Sequence, residues 1–146
     1  MVLHINKDYM GCFGEMRKRL TPRAIVIHHT CTRTPKGTRA TLKTSNCSTH
    51  FEVDKDGTIY QYRECNLQCS HCGSNNFHCI GIDVTHMEGA EFPAAQVAAV
   101  RELVLYLCAA YNIPCTVYDD LPAGIYSHRA IGNTKCPDNF PLEALQ

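Results

Sequence analysis

The stretch AIVIHH, residues 24–29, determines the type of fold that this chain can form. Its first four residues are apolar and mostly β-branched, which predicts a strand buried on both faces. The two histidines place polar side chains at the carboxyl end of that strand, where mixed α/β sheets often carry functional groups. Because successive side chains of a strand point to opposite faces, only one of His28 and His29 can face a given site.

Three further segments complete the predicted architecture. The run THFEVDKDGTIYQY, residues 49–62, alternates in polarity around Asp56-Gly57 and predicts a β-hairpin. The short apolar run CIGIDVTH, residues 79–86, predicts a second central strand. Apolar residues at three- and four-residue spacings, with a proline near each end, predict a helix over residues 92–112. The cysteine-bearing segments 31–47 and 65–79 are rich in turn formers and predict loops that border the functional site.

The composition limits the chain to one domain and argues against two classes of partner. With 146 residues, of which 45% are hydrophobic, residues 1–146 are predicted to form a single α/β domain around one core. The 14 basic and 14 acidic residues cancel, so we expect no nucleic acid partner and no charged attraction to a membrane. No apolar run reaches the roughly 18 residues of a membrane span, and the amino terminus lacks the layout of a signal peptide. Ten cysteines nevertheless indicate an oxidising compartment or a bound metal.

The segment SHRAIGNTKCP, residues 127–137, places a histidine eight residues before a cysteine in a loop-like stretch. A catalytic zinc takes three protein ligands from histidine, cysteine and carboxylate, and keeps a fourth position for water. His128, Cys136 and one histidine of the first strand could supply these three ligands. The spacing alone is weak evidence, because a histidine near a cysteine in a cysteine-rich chain is most often a coincidence.

Four blocks occur in a specific order: AIVIHHT, STHFEVDKDGTIYQ, HCGSNNFHCIGID and SHRAIGNTKCP. Together they resemble the zinc-dependent N-acetylmuramoyl-L-alanine amidases, a superfamily that includes bacteriophage lysozyme-type amidases, the cell-wall recycling amidase and the peptidoglycan recognition proteins. The resemblance covers about residues 24–137. It implies a central mixed β-sheet flanked by helices, with a zinc groove at one face. It also implies that the zinc ligands are His28, His128 and Cys136, and that the substrate is peptidoglycan or a muropeptide.

The resemblance further implies which residues take part in the chemistry. Asp83 stands where recycling-type members carry a glutamate at the end of an IGIE strand, so it is the expected proton carrier. A purely structural role, fixing a ligand or a loop by hydrogen bonds, is the alternative. Thr134, two residues before the cysteine ligand, is the expected donor to the oxyanion. Other members use a tyrosine where this chain has Thr49, so that version of the mechanism does not transfer.

Two more residues are candidate substrate contacts on the same grounds. His71 corresponds to the histidine of the family's HAG motif, which lines the groove, and Asn76 to an asparagine that precedes the IGIE strand. The structural alternatives are a partly buried histidine bonded to the backbone, and an asparagine that stabilises a turn.

The resemblance also bears on the other cysteines. Recognition proteins carry a disulfide in the loop after the first ligand, which implies a Cys31–Cys47 bridge. Four cysteines of the second segment could form two more disulfides, with a second, structural zinc as the less favoured alternative, because their spacing lacks the paired C-x2-C pattern. These four are Cys65, Cys69, Cys72 and Cys79.

Two functions follow from these residues. The first is zinc-dependent hydrolysis of the amide between N-acetylmuramic acid and L-alanine, by a lysin, a toxin or a wall-remodelling enzyme that acts on extracytoplasmic peptidoglycan. The second is a non-catalytic module that binds peptidoglycan on the same fold. Non-catalytic recognition proteins typically lack the cysteine ligand, so the presence of Cys136 favours the enzyme.

Overall fold

The computed structural model describes residues 2–10, 18–119 and 123–146. The six strands of its sheet are β1 (Ile5–Lys7), β2 (Ala24–His29), β3 (Phe51–Val53), β4 (Ile59–Gln61), β5 (Cys79–Val84) and β6 (Gly124–Ser127). They lie in the order β1-β4-β3-β5-β2-β6. All neighbouring strands are parallel except β3 and β4, which form the predicted antiparallel hairpin. The predicted α/β fold with a central mixed sheet is confirmed.

The predicted central strands β2 and β5 pair in parallel over their whole length, from Ala24 opposite Cys79 to His29 opposite Val84. Their side chains alternate between two layers. The isoleucines of both strands enter the main hydrophobic core on one face. Ala24, Val26 and Cys79 face a smaller cluster on the other. By the same alternation His28 and Asp83 continue this second row at the carboxyl ends of their strands, which places them on the face opposite the main core.

The predicted long helix is α2, Ala94–Tyr111, and it covers the main core. Val100, Leu103, Val104 and Leu107 are almost completely buried against the sheet. In the described ranges, α2 is the one helix whose length and apolar composition would also suit a membrane span. Its packing against the sheet is that of a core helix. The carboxyl terminus adds a 3-10 turn, Leu142–Leu145.

The prediction of a loop over residues 31–47 is wrong, because this segment contains the helix α1, Pro35–Ser45. The hydroxyl of Thr34 accepts a hydrogen bond from the amide of Gly37 at 3.1 Å, which caps the helix, and Pro35 occupies its first turn. Asn46 ends the helix in the left-handed conformation. The Thr-Pro pair was the signal for this helix start, but the many threonines and serines of the segment suggested turns instead. The short helix α3, His128–Ile131, then follows β6 directly.

The predicted disulfides are also wrong. No two cysteines in the described ranges lie at disulfide distance. Cys31 and Cys47 are exposed thiols on either side of α1. The helix that the sequence analysis missed lies between the two cysteines in the sequence.

The alternative of a second zinc fails for a related reason. Cys65 belongs to the main core, whereas Cys72 and Cys79 belong to the smaller cluster on the opposite face of the sheet. The four thiols of this segment therefore cannot meet at one ion. Within the described ranges, the group of potential metal ligands that the structure does bring together includes none of them. Several of these cysteines instead pack as small apolar residues.

Candidate active site

The three residues that the sequence predicts as metal ligands lie together. One ligand atom each from His28, His128 and Cys136 falls within 4.8 Å of the others. His28 lies at the carboxyl end of β2, one residue before its last, and His128 follows the neighbouring parallel strand β6, so both histidines lie at the same edge of the sheet. Cys136 is held there by the amide of His29, which donates a hydrogen bond to its sulfur at 3.2 Å. This is the one such three-residue group in the parts of the chain that the structure describes.

The ligands lie in a groove of about 310 Å³. One wall comes from α1, through Thr38, Thr41 and Leu42, and another from the segment that carries Ser70 and His71. Both cysteine-bearing segments therefore border the site, as predicted. Since the groove opens to solvent beside the three ligand atoms, a substrate carbonyl and water can both reach them.

The electrostatic environment keeps all three groups neutral in the metal-free protein. Burial, followed by the neighbouring imidazoles of His71 and His128, holds the pKa of His28 well below its usual value. Burial also lowers the pKa of His128. Burial raises the pKa of the Cys136 thiol to about 12. Two neutral imidazoles and one ionisable thiol form a donor set that suits zinc, provided that the thiol loses its proton when the ion binds.

Asp83 lines the same groove, next to His28. It lies directly opposite His28 in the β2–β5 ladder and opposite Glu52 in the β3–β5 ladder. Burial, followed by the charge of Glu52, raises the pKa of Asp83 to about 8, although a hydrogen bond from Thr49 opposes this shift. Asp83 therefore carries a proton at neutral pH in the metal-free protein.

Glu52 is a residue that the sequence analysis missed. Its carboxylate is completely buried and accepts hydrogen bonds from Tyr62 at 2.6 Å, Thr85 at 2.6 Å and Thr38 at 2.8 Å. Burial raises the pKa of Glu52, and the three hydroxyl donors oppose that rise by stabilising the charged form. The alternation of apolar and polar residues along the hairpin could have identified Glu52 from the sequence. Glu52 stands between the two core residues of β3, so it had to point to the groove side of the sheet.

Thr134 also lines the groove. Its hydroxyl oxygen accepts a hydrogen bond from the amide of Cys136 at 3.1 Å. Since a hydroxyl can accept and donate at once, this contact leaves its hydrogen available to a substrate oxygen. The position suits the predicted oxyanion donor.

The structure places the two candidate substrate contacts differently. His71 lines the groove, but both of its ring nitrogens are in contact with protein atoms, at His28 and at the carbonyl of Cys79. Asn76 does not line the groove. Its side-chain oxygen accepts hydrogen bonds from the amides of His71 at 3.1 Å and Cys72 at 2.8 Å, so it holds the loop that carries His71. These contacts match the structural alternatives, and substrate contact by either residue stays a prediction.

Fold and site together define a class of protein: a small α/β domain with a candidate two-histidine, one-cysteine metal centre in an open groove, a donor set typical of zinc hydrolases. The family model for N-acetylmuramoyl-L-alanine amidase matches residues 18–139. The chain therefore belongs to that amidase family, as its resemblance implied.

Solved structures agree with this assignment. N-acetylmuramoyl-L-alanine amidase LysC from Clostridium intestinale URNW is 28% identical to this chain, with a TM-score of 0.82 over 97% of this chain and 94% of that one. The Ph2119 endolysin from the Thermus scotoductus MAT2119 bacteriophage Ph2119 is 19% identical and shares the fold, with a TM-score of 0.74 over 97% and 96% of the two chains. A mutant endolysin from Bacillus subtilis also shares the fold, at 24% identity and a TM-score of 0.73 over 93% and 90%. No match was found among curated proteins.

Proposed function

We propose that this protein is a zinc-dependent amidase that hydrolyses the bond between N-acetylmuramic acid and L-alanine in extracytoplasmic peptidoglycan, and so releases stem peptides. The observation that carries the proposal is the convergence of His28, His128 and Cys136 at the base of an open groove. Family membership and similarity to LysC support peptidoglycan as the substrate.

His28, His128 and Cys136 would hold the zinc, because their donor atoms converge and their side chains are neutral or readily ionised by the ion. Zinc in such a site supplies Lewis acidity and a nucleophilic water at neutral pH. The remaining groups belong to the chain itself. The carboxyl group of Asp83 holds a proton beside the ligands and can deliver it to the departing amine of L-alanine. The hydroxyl of Thr134 can donate to the carbonyl oxygen as negative charge develops on it.

A non-catalytic peptidoglycan-binding module on the same fold is the second candidate. The groove alone would serve binding as well as cleavage. The thiol of Cys136 favours the enzyme, because it completes a three-ligand set that a binding module does not need.

The test is incubation of the purified protein with sacculi, once with zinc and once with a chelator, followed by mass spectrometry of the soluble material. We expect free peptides that begin at L-alanine, and only in the presence of zinc. Retained binding to sacculi without such release would reject the amidase and support the recognition module. Release of disaccharide peptides instead would indicate cleavage of a different bond.

Zinc binding should release about one proton per ion at pH 7. The proton comes from the Cys136 thiol, because its pKa of about 12 keeps it protonated, whereas the lowered pKa values of His28 and His128 leave both imidazoles neutral. Calorimetry in buffers of different ionisation enthalpy measures this number directly. Release of no proton would show that the Cys136 thiol does not become a ligand.

A further inference from the structure

We propose that His71 and Gly81 act together to fix the tautomer of His28, so that the Nδ1 lone pair of His28 always faces the metal position. This inference rests on the proposed function, because it concerns the same ligand set. His71 is thereby a positioning residue that acts through His28.

The direction of each hydrogen bond follows from the carbonyl oxygen of Cys79. A carbonyl can only accept, so the Nε2 atom of His71, 3.1 Å away, carries the hydrogen. A neutral imidazole that carries its hydrogen on Nε2 has only a lone pair at Nδ1. The Nε2 atom of His28 lies 2.9 Å from that lone pair and must donate to it. The hydrogen of His28 is therefore on Nε2, and its Nδ1 is free.

The free nitrogen of His28 points to the other histidine ligand. Its Nδ1 lies 3.1 Å from the Nδ1 of His128. Two lone pairs at this distance would repel, so in the metal-free protein the hydrogen between them is on His128. If His128 holds the ion through Nδ1, its hydrogen would have to be on Nε2 instead, and its partial exposure on the groove would allow solvent to assist this change. The tautomer of His28 is therefore the same with and without the ion, whereas that of His128 depends on how the ion binds.

Gly81 makes room for this arrangement. A Cβ atom at this position would lie 2.8 Å from Nδ1 of His71 and 3.0 Å from Cγ and Cε1 of the same ring. Contacts this short do not occur, so any side chain at residue 81 displaces the His71 ring. The backbone cannot easily retreat, because the amide of Gly81 donates to Nδ1 of His50 at 2.9 Å, and Nε2 of His50 donates to the carbonyl of Leu67 at 2.8 Å. Glycine at residue 81 therefore allows the His71 ring to stay within hydrogen-bond distance of His28.

Two substitutions of His71 separate positioning from general support of the fold. His71→Asn retains an acceptor oxygen close to the position of the ring Nδ1, whereas His71→Leu retains bulk but no acceptor. Gly81→Ala leaves His71 in the chain but displaces its ring. The matched control is His78→Leu, because His78 is also a buried histidine, but neither of its ring nitrogens makes a hydrogen bond within the described part of the chain.

The first measurement is nitrogen NMR of the histidines in the metal-free protein, and the second is zinc affinity by competition with a chromophoric chelator. We expect only the Nε2–H tautomer for His28 in the wild type and in His71→Asn. His71→Leu and Gly81→Ala should show mixed tautomers and bind zinc about 10- to 100-fold more weakly, the usual effect of losing such a partner. His78→Leu should leave the zinc affinity of the folded protein unchanged.

An unchanged His28 tautomer and unchanged zinc affinity in folded His71→Leu would overturn the inference. If His71→Leu does not fold, the comparison of Gly81→Ala with His71→Asn decides, and equal affinities for these two would also overturn it. A wild-type protein that shows the Nε2–H tautomer but binds no zinc would reject the proposed function while supporting the hydrogen-bond chain. The two proposals can therefore fail separately.

Discussion

Replacement of Cys136 by serine should remove zinc from the protein and abolish the release of stem peptides. The thiol is the one group of the three that becomes anionic when zinc binds, and a serine hydroxyl is not among the usual protein ligands of zinc. We expect zinc affinity to fall by more than about 100-fold, beyond the 10- to 100-fold effects of groups that merely support a ligand. The measurements are metal content after dialysis and the sacculus assay.

Serine is the better substitution because it retains the hydrogen bond to the amide of His29 that now ends at the Cys136 sulfur. The fold should therefore survive, so any loss can be assigned to the metal site. Cys115→Ser is the matched control, since Cys115 is a partly buried thiol remote from the groove that bonds to the carbonyl of Leu145. Normal zinc content in Cys136→Ser would show that the ion uses a different ligand set.

The central part of the fold could be predicted because its sequence has a strong and simple pattern. The apolar runs of β2 and β5 are buried on both faces, and the hairpin turn contains Gly57 at a φ of 88°, a conformation that glycine adopts without strain. Weaker patterns failed. The strands β1 and β6 have three and four residues, too few to show a period, and only their pairing with longer strands makes them strands.

The convergence of the three candidate metal ligands could be predicted, but their supporting contacts could not. Alternation along β2 allowed either His28 or His29 to face the site, and the ordered blocks of sequence singled out His28. The Nε2 atom of His28 contacts His71, which lies 43 residues away in the sequence. Local sequence patterns cannot predict a contact between residues so far apart. The cysteine count misled for the same reason. The sequence gives the number of cysteines, whereas a disulfide requires two of them to be close together in the folded chain.

Asp83→Asn should stop turnover, retain zinc and make the metal-free protein more stable at neutral pH. The folded protein holds the Asp83 proton up to a pKa of about 8, whereas the unfolded chain releases it near pH 4. Since the folded state binds more protons between these values, its stability falls as the pH rises from about 4 to about 8. The ionisation of this one group then costs the fold on the order of 5 kcal/mol. Asparagine cannot ionise and removes that cost.

Urea denaturation of the metal-free wild type and variant at pH 5 and pH 8 measures this effect, with Asp119→Asn as the control for an exposed carboxyl group. The stability gain of Asp83→Asn should be larger at pH 8, and the control should show none. The sign separates the two roles considered for Asp83. A residue that only holds a ligand or a loop by hydrogen bonds would lower stability and zinc affinity when replaced. A gain in stability with unchanged zinc content and no turnover would mean that Asp83 lowers the stability of the fold but is needed for the reaction. This combination is expected of a catalytic acid.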